Sequence, residues 1–366
     1  MSSFSVEVVE VQIKPHQNAD TLELAQVGEY LCVVPKGKYK SGDLVAYIPE
    51  QSLVPLSIQQ DINVDGKLSG SNKDRVKAIK LRGVLSQGLV YPARPHWSLG
   101  QNVADELGIT KWEPTVPASM AGEVAHVGGH RTVKYDVENF KKYPELFSEN
   151  EQVVMTEKLH GTWTMIGIMP PKWEHPDIGN TFVSSKGLAA KGLVLKNNEA
   201  NKNNLYWRIA RKLNLAEKWF LLSDEVRESF LNGGDRIFVL GETFGSGVQD
   251  LRYGMTGDQI DFRVFDVFVG DNREGFYLSS DELDRFCEVL ELTRVPVLYR
   301  GPFTKEKLYE LTDGYETYSG KKSHIREGVI LRPMVETCAE GLPGNRLQLK
   351  SVSGDYLTRK DGTEYN

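Results

Sequence analysis

At 366 residues the chain has room for two ordinary domains, each with its own core. A hydrophobic fraction of 40% and a charged fraction of 26% exclude wholesale disorder, and no apolar run is long enough to span a bilayer. The formal net charge of −6 excludes a protein that coats nucleic acid by bulk attraction, but not one with a local basic track, since phosphate contacts depend on clustered Lys and Arg.

The N-terminus carries no basic stretch followed by an apolar run. Cys32, Cys287 and Cys338 lie far apart without zinc-site spacing, so a reduced, cytoplasmic or otherwise intracellular setting is expected, with no membrane association. Residues 5–55 read as short β runs, Val6–Ile13, Leu31–Pro35 and Leu44–Ile48, broken by turn signals at Asn18-Ala19-Asp20 and Pro35-Lys36-Gly37. Gly83–Leu89 and Val90-Tyr91-Pro92 continue the pattern, which suits a small OB-like β-barrel over 1–110. Between them Lys73, Arg75, Lys77, Lys80 and Arg82 form a basic cluster, either a phosphate track or a solvated strand face.

Residues 111–150, rich in Pro, Gly and Ala around Lys111-Trp112-Glu113-Pro114, read as a linker. From 151 onward strands and helices mix, as in an α+β domain. Gln152–Thr156 and Thr162–Ile168 are extended, and Lys158-Leu159-His160-Gly161 forms a turn between them that would put Lys158 at a strand end. A helix is expected over Asn203–Glu217, with Leu205, Ile209 and Leu213 on one side and Arg208, Arg211 and Lys212 on another. Ser279 with Glu282 makes a capping box ahead of a helix to Leu290, on whose apolar face Cys287 falls with Leu283 and Phe286. In Arg346–Lys350, strand alternation sets Leu347 and Leu349 on one face and Arg346, Gln348 and Lys350 on the other. Gly314–Lys322 suggests a P-loop only superficially: its glycines are one residue too far apart and Lys322 stands where Ser or Thr belongs.

One K-x-x-G box carries little, since Lys67 and Lys80 begin others. Lys158 differs because four further boxes lie downstream of it in order: Leu240-Gly241-Glu242-Thr243-Phe244-Gly245, Phe262-Arg263-Val264-Phe265-Asp266, Arg326-Glu327-Gly328-Val329-Ile330-Leu331 and Gln348-Leu349-Lys350. This series resembles the ordered boxes of the covalent nucleotidyltransferases, the polynucleotide ligases and RNA capping enzymes. With few residues after Lys350 and an OB-like region ahead of the boxes, it is similar to the ATP-dependent RNA ligases with an N-terminal OB-type domain.

The resemblance implies an α+β nucleotidyltransferase domain with antiparallel sheets over 151–366. It implies lysyl-AMP formation at Lys158 from ATP with Mg²⁺ or Mn²⁺, and joining of 3′-OH to 5′-phosphate ends in RNA or an RNA-containing duplex, nicks with an RNA 3′-OH strand above all. Lys158 and Lys350 would be catalytic. Glu157, Gly161, Lys186, Glu242, Phe265, Gln348 and Lys350 would bind the nucleotide, with Glu242 on the ribose and Phe265 stacked on the purine, and Glu327 would hold the metal. An attacking amine must be neutral, so a lowered Lys158 pKa is expected. Two positions depart from the family: Gln348 stands for one of two lysines, its charge to come from Lys350, Arg346 or Arg332, and Lys186 stands for an arginine. An RNA guanylyltransferase, a DNA-only ligase and a non-catalytic nucleic-acid-binding protein on the same fold are the alternatives. A monomer is the expected state.

Overall fold

The computed structural model describes residues 4–173, 175–271, 274–360 and 362–364. The N-terminal part pairs Glu7–Glu10, Leu44–Ile48 and Leu89–Pro92 in one antiparallel sheet, and Gln12–Pro15, Leu22–Val27 and Tyr30–Pro35 in another. The expected single run Val6–Ile13 is thus two strands. The break falls at fully buried Val11, whose N–H and carbonyl turn away to Asp43 and Gly42 as the chain passes between sheets. Alternate residues of these strands supply two apolar clusters, one with Val8, Ala46, Ile48 and Tyr91, the other with Ala25, Cys32, Val34, Val45 and Val90.

The rest is built on two sheets. The larger runs in the order Val124–His126, Leu193–Leu195, Thr181–Ser185, Thr162–Ile168, Ile237–Gly245, Ile260–Val269 and Phe276–Tyr277, all antiparallel. Its residues alternate between two buried faces. Ile166, Ile168, Val239 and Val267 pack under the helices Leu205–Leu213, Leu215–Leu221, Asp224–Leu231 and Ser280–Val289. Trp163, Met165, Phe238 and Leu240 face the other way. The smaller sheet orders Glu138–Asn139, Leu349–Val352, Gly328–Pro333, Gln152–Lys158 and Val297–Pro302. Helix Lys305–Thr312 covers it, with Leu308 packed on Val153, Met155, Val329, Leu331 and Leu349.

Three details depart from the sequence reading. Residues 111–150 are not a free linker: Val124–His126 edges the larger sheet, Glu138–Asn139 the smaller one, and Met120, Val133, Phe140 and Phe147 are buried in three different clusters. The helix expected over 203–217 stops at Leu213, because Asn214 adopts the left-handed region (φ 47°) and a second helix begins at Leu215. The basic cluster is not a uniformly free track, since Arg75 is buried and Lys80 pairs with Asp355. The Ser279–Glu282 capping box forms as expected, and Cys287 lies buried beside Leu283 and Phe286.

Candidate active site

The two sheets meet at the turn Leu159–Gly161, because Lys158 ends a strand of the smaller sheet and Thr162 begins one of the larger. The turn leaves no room for a side chain at Gly161, where an added Cβ would lie 2.2 Å from the Thr243 carbonyl. Register shifts between Met155 and Thr156 and between Leu240 and Gly241 kink the strands just before Lys158 and Glu242, as bulges beside working side chains do.

Lys158 Nζ donates to Glu327 Oε1 at 2.5 Å. Burial pulls the ammonium down, but the carboxylates of Glu327 and Glu242 outweigh it and its pKa is raised. The expected depression is therefore not found: the two carboxylates hold Lys158 protonated. Glu242 lines the same cleft, and burial pushes its carboxyl up to about 8 although the Lys158 charge opposes this. The Lys350 ammonium, without a hydrogen bond or ion pair among the described residues, is pushed down to about 8 by burial, with the neighbouring Lys186 and Lys158 charges adding to the effect.

Two spaces share these residues. One is a cavity of about 240 Å³ with Phe265, Tyr135 and Trp163 as its aromatic wall and Lys158, Lys186, Glu242, Arg332 and Lys350 as its charged lining. Tyr135 and Phe265 have ring centroids 5.3 Å apart. The other is a cleft of about 740 Å³ that continues from Lys158, Glu242 and Glu327 to Tyr30, Tyr47, Glu50 and Gln87 of the N-terminal part.

Most of the expected residues converge here, with two exceptions of detail. Glu157 borders the smaller cavity, yet its carboxylate accepts from Thr317 N at 2.9 Å and from the Thr317 hydroxyl, on the opposite side of the strand from Lys158. Gln348 lines the smaller cavity, but its amide is already committed: it accepts from Arg346 Nη1 at 2.8 Å and donates to the Tyr135 hydroxyl at 2.8 Å. Arg346, Arg332 and the Tyr135 hydroxyl all converge on buried Asp266, at 2.5, 3.0 and 2.8 Å. Lys186 Nζ sits 2.9 Å from Asp136 on the half-exposed rim, where Ser185 caps its short helix.

Several participants carried no local signal. His160 donates its backbone N–H to the Tyr253 hydroxyl at 2.6 Å, while its ring bridges Asp250 at 2.8 Å and Tyr356 at 2.9 Å. Burial alone would raise the Asp250 carboxyl, but hydrogen bonds from His160 and Arg359 hold it well below the usual range. Tyr135 and Asp136 enter from the segment read as a linker.

A divalent ion has a suitable place at Glu327. Its Oε2 is buried with no hydrogen-bond partner, and the next carboxylate is Glu242; no cluster of three or more His, Cys, Asp or Glu that could cage a metal occurs among the described residues. A largely hydrated Mg²⁺ or Mn²⁺ on one or two carboxylates fits such a donor set.

Comparison with known proteins gives the same picture. An OB-fold domain model matches residues 5–93. No curated protein matches the chain. Among solved structures, Naegleria gruberi RNA ligase is similar in several states. A lysine-to-alanine variant with ATP and Mn superposes with a TM-score of 0.74 at 23% identity, over 96% of this chain and 97% of that one. A lysine-to-methionine variant with AMP and Mn, and the enzyme with PPi, each give a TM-score of 0.74 at 24% identity over the same shares. At that identity the likeness establishes the fold. No helix among the described residues is long and apolar enough to cross a membrane. The RNA ligase family model matches residues 151–350, more than half of the 366, and the chain belongs to the RNA ligase family.

Proposed function

We propose that this RNA ligase uses ATP to seal 3′-OH to 5′-phosphate ends, at nicks whose 3′-OH strand is RNA, as an intracellular monomer. The observation that carries the reading is the meeting of Lys158, Glu242 and Lys350 at a cavity walled by Phe265, with Glu327 against Lys158 in the adjoining cleft. The similar fold that holds ATP, AMP or PPi in the Naegleria enzyme supports it.

In the first step the Lys158 nitrogen attacks the α-phosphorus of ATP, an N–P bond forms, and the P–O bond to pyrophosphate breaks. AMP then passes to the 5′-phosphate of the RNA and frees Lys158. In the third step the 3′-OH attacks the phosphorus of the RNA 5′-phosphate, the phosphodiester forms, and the anhydride bond to AMP breaks. Each step is an in-line phosphoryl transfer, so the protein mainly positions groups and offsets charge. Phe265 stacks on the base, Glu242 accepts from the ribose, and Lys350 and Lys186 face the phosphates, Lys350 as a charge with no carboxylate committed to it. Glu157 holds the nucleophile strand to Thr317 and acts on the nucleotide through position alone. A divalent ion held by Glu327 and Glu242 would neutralise phosphate charge and compete with Lys158 for the carboxylate, which favours the neutral amine.

The test is incubation of nucleotide-free protein with radiolabelled ATP or GTP and a divalent metal, resolved on a denaturing gel beside Lys158→Ala. Label from ATP on wild type alone is expected. Label from GTP would indicate capping chemistry, and no label from either, in folded protein, would leave a binding module.

A further inference from the structure

We propose that an open trough beside the Lys158 turn binds the phosphodiester backbone of the substrate RNA; the proposal rests on the ligase reading above. The trough holds about 780 Å³ and takes cations from three separate elements. Arg208 and Lys212, four residues apart on helix Leu205–Leu213, share one helix face. Arg263 comes from strand Ile260–Val269, and Lys321 from the loop between Gly314 and Ile325. Four cations stand against two carboxylates, Asp258 and Asp261. Asp261 is already matched by Arg263 at 2.8 Å and the Tyr318 hydroxyl at 2.8 Å, with Lys212 at 3.7 Å. Arg208 contributes one bond to the Asp258 carbonyl, at 3.1 Å, out of a five-donor fork. Arg208, Lys212 and Lys321 are all exposed.

These residues unite two sequence features that the nucleotide chemistry leaves unused, the basic side of the helix and the glycine-lysine loop. The loop is no P-loop: it wraps around Glu316, whose carboxylate accepts from the backbone N–H groups of Ser319 and Ser323, each at 2.8 Å. That arrangement fixes the backbone on both sides of Lys321. The trough is open and its cations are spread apart, which suits an extended polyanion rather than one enclosed phosphate. Tyr318 on its wall carries the Arg263 guanidinium 4.8 Å over its ring, which holds that cation at the trough. The trough wall is bonded to the segment that carries Lys158: Tyr253 lines the trough and takes the backbone N–H of His160, while Thr317, next to Tyr318, holds Glu157.

The experiment measures binding of a nicked duplex with an RNA 3′-OH strand by fluorescence anisotropy over a series of KCl concentrations. It compares wild type, the triple variant Arg208→Ala/Lys212→Ala/Lys321→Ala, and a control that removes three cations elsewhere, Lys172→Ala/Lys191→Ala/Lys202→Ala. Self-adenylylation with ATP is measured on all three. The trough variant is expected to adenylylate as wild type does, bind at least about tenfold more weakly at low salt, and lose about 2–3 from the slope of log Kd against log salt, roughly one per contact. Unchanged affinity and slope in a variant that still adenylylates would overturn the trough and leave the ligase reading standing. An equal loss in the control would overturn it too, since net charge would then be the cause. No adenylylation even in wild type would bring down the ligase reading, and the trough with it.

Discussion

Lys158 and Glu327 approach from neighbouring antiparallel strands, Lys158 paired in register with Gly328, so that the amine lies 2.5 Å from the carboxylate. Glu327 therefore both places the Lys158 amine and keeps it protonated. Glu327→Gln preserves the shape and removes the counter-charge, so the Lys158 pKa should fall. Competitive acylation read by mass spectrometry should find Lys158 more reactive at neutral pH in this variant. Self-adenylylation with metal and ATP should nonetheless fall by about 10²–10³-fold, the usual cost of losing an electrostatic stabiliser. Unchanged Lys158 reactivity would show that Glu327 does not control its protonation.

Glu242 gives a pH dependence with a definite sign. Its folded pKa of about 8 lies above the unfolded value near 4.5, so over that window the native state binds more protons and stability falls as pH rises. The contribution is fully present below the unfolded pKa and lost on passing through the folded one. Lys350 acts with the opposite sign but at higher pH, between about 8 and 10.5, where the unfolded chain binds more protons. Glu242→Gln should therefore gain on wild type between pH 5 and pH 8, by roughly 3 °C or more in the melting temperature of nucleotide-free protein. A difference that stays flat across that range would contradict the assignment.

What the sequence made legible was set by strand periodicity and order. Lys158, Glu242, Phe265, Glu327 and Lys350 each lie in or beside a regular strand, so a linear motif sufficed to name them; Lys158, Glu242, Phe265 and Lys350 line one cavity, and Glu327 lines the adjoining cleft. Glu157 borders the cavity while its carboxylate turns to Thr317, a direction that strand alternation already implied, since adjacent strand residues point to opposite faces. Residues 111–150 misled because their buried anchors are widely spaced and their strands only two or three residues long, too short for any period to register. The Asp266 network could not be read at all. Its members are separated by 66 to 80 residues or more, and only the packed sheets bring them together.

That network explains Gln348. Arg346 already supplies a cation there, held by Asp266 and by Glu336 at 2.6 Å, and the Gln348 amide bridges it to Tyr135. A lysine there would set a second positive charge against the Arg346 guanidinium in a buried site. Gln348→Lys is expected to lower the melting temperature and reduce adenylylation rather than restore anything. Asp266→Ala should cost about 3–5 kcal/mol in a denaturant titration, because two buried arginines lose their shared partner. An adenylylation gain in Gln348→Lys would mean that Arg346 does not serve as the substitute charge.

The N-terminal part is tied to the rest at Arg75. Its guanidinium lies 3.3 Å over the Trp112 ring, donates to Gln51 at 2.8 Å and pairs with Glu364 at 2.7 Å, 289 residues away. Glu364 belongs to the catalytic side, because neighbouring Thr363 and Arg359 are bound to Asp250, each at 2.9 Å. Arg75→Ala should uncouple the two parts, so that a single calorimetric transition splits into two while self-adenylylation persists. Arg75→Lys should behave more like the alanine variant than like wild type, since an ammonium can neither stack flat on Trp112 nor fork between Gln51 and Glu364. Trp112 emission should shift to the red in both variants as the ring gains water. One unchanged transition in Arg75→Ala would mean that the contacts at Lys80–Asp355 and Lys305–Glu29 hold the two parts together without it.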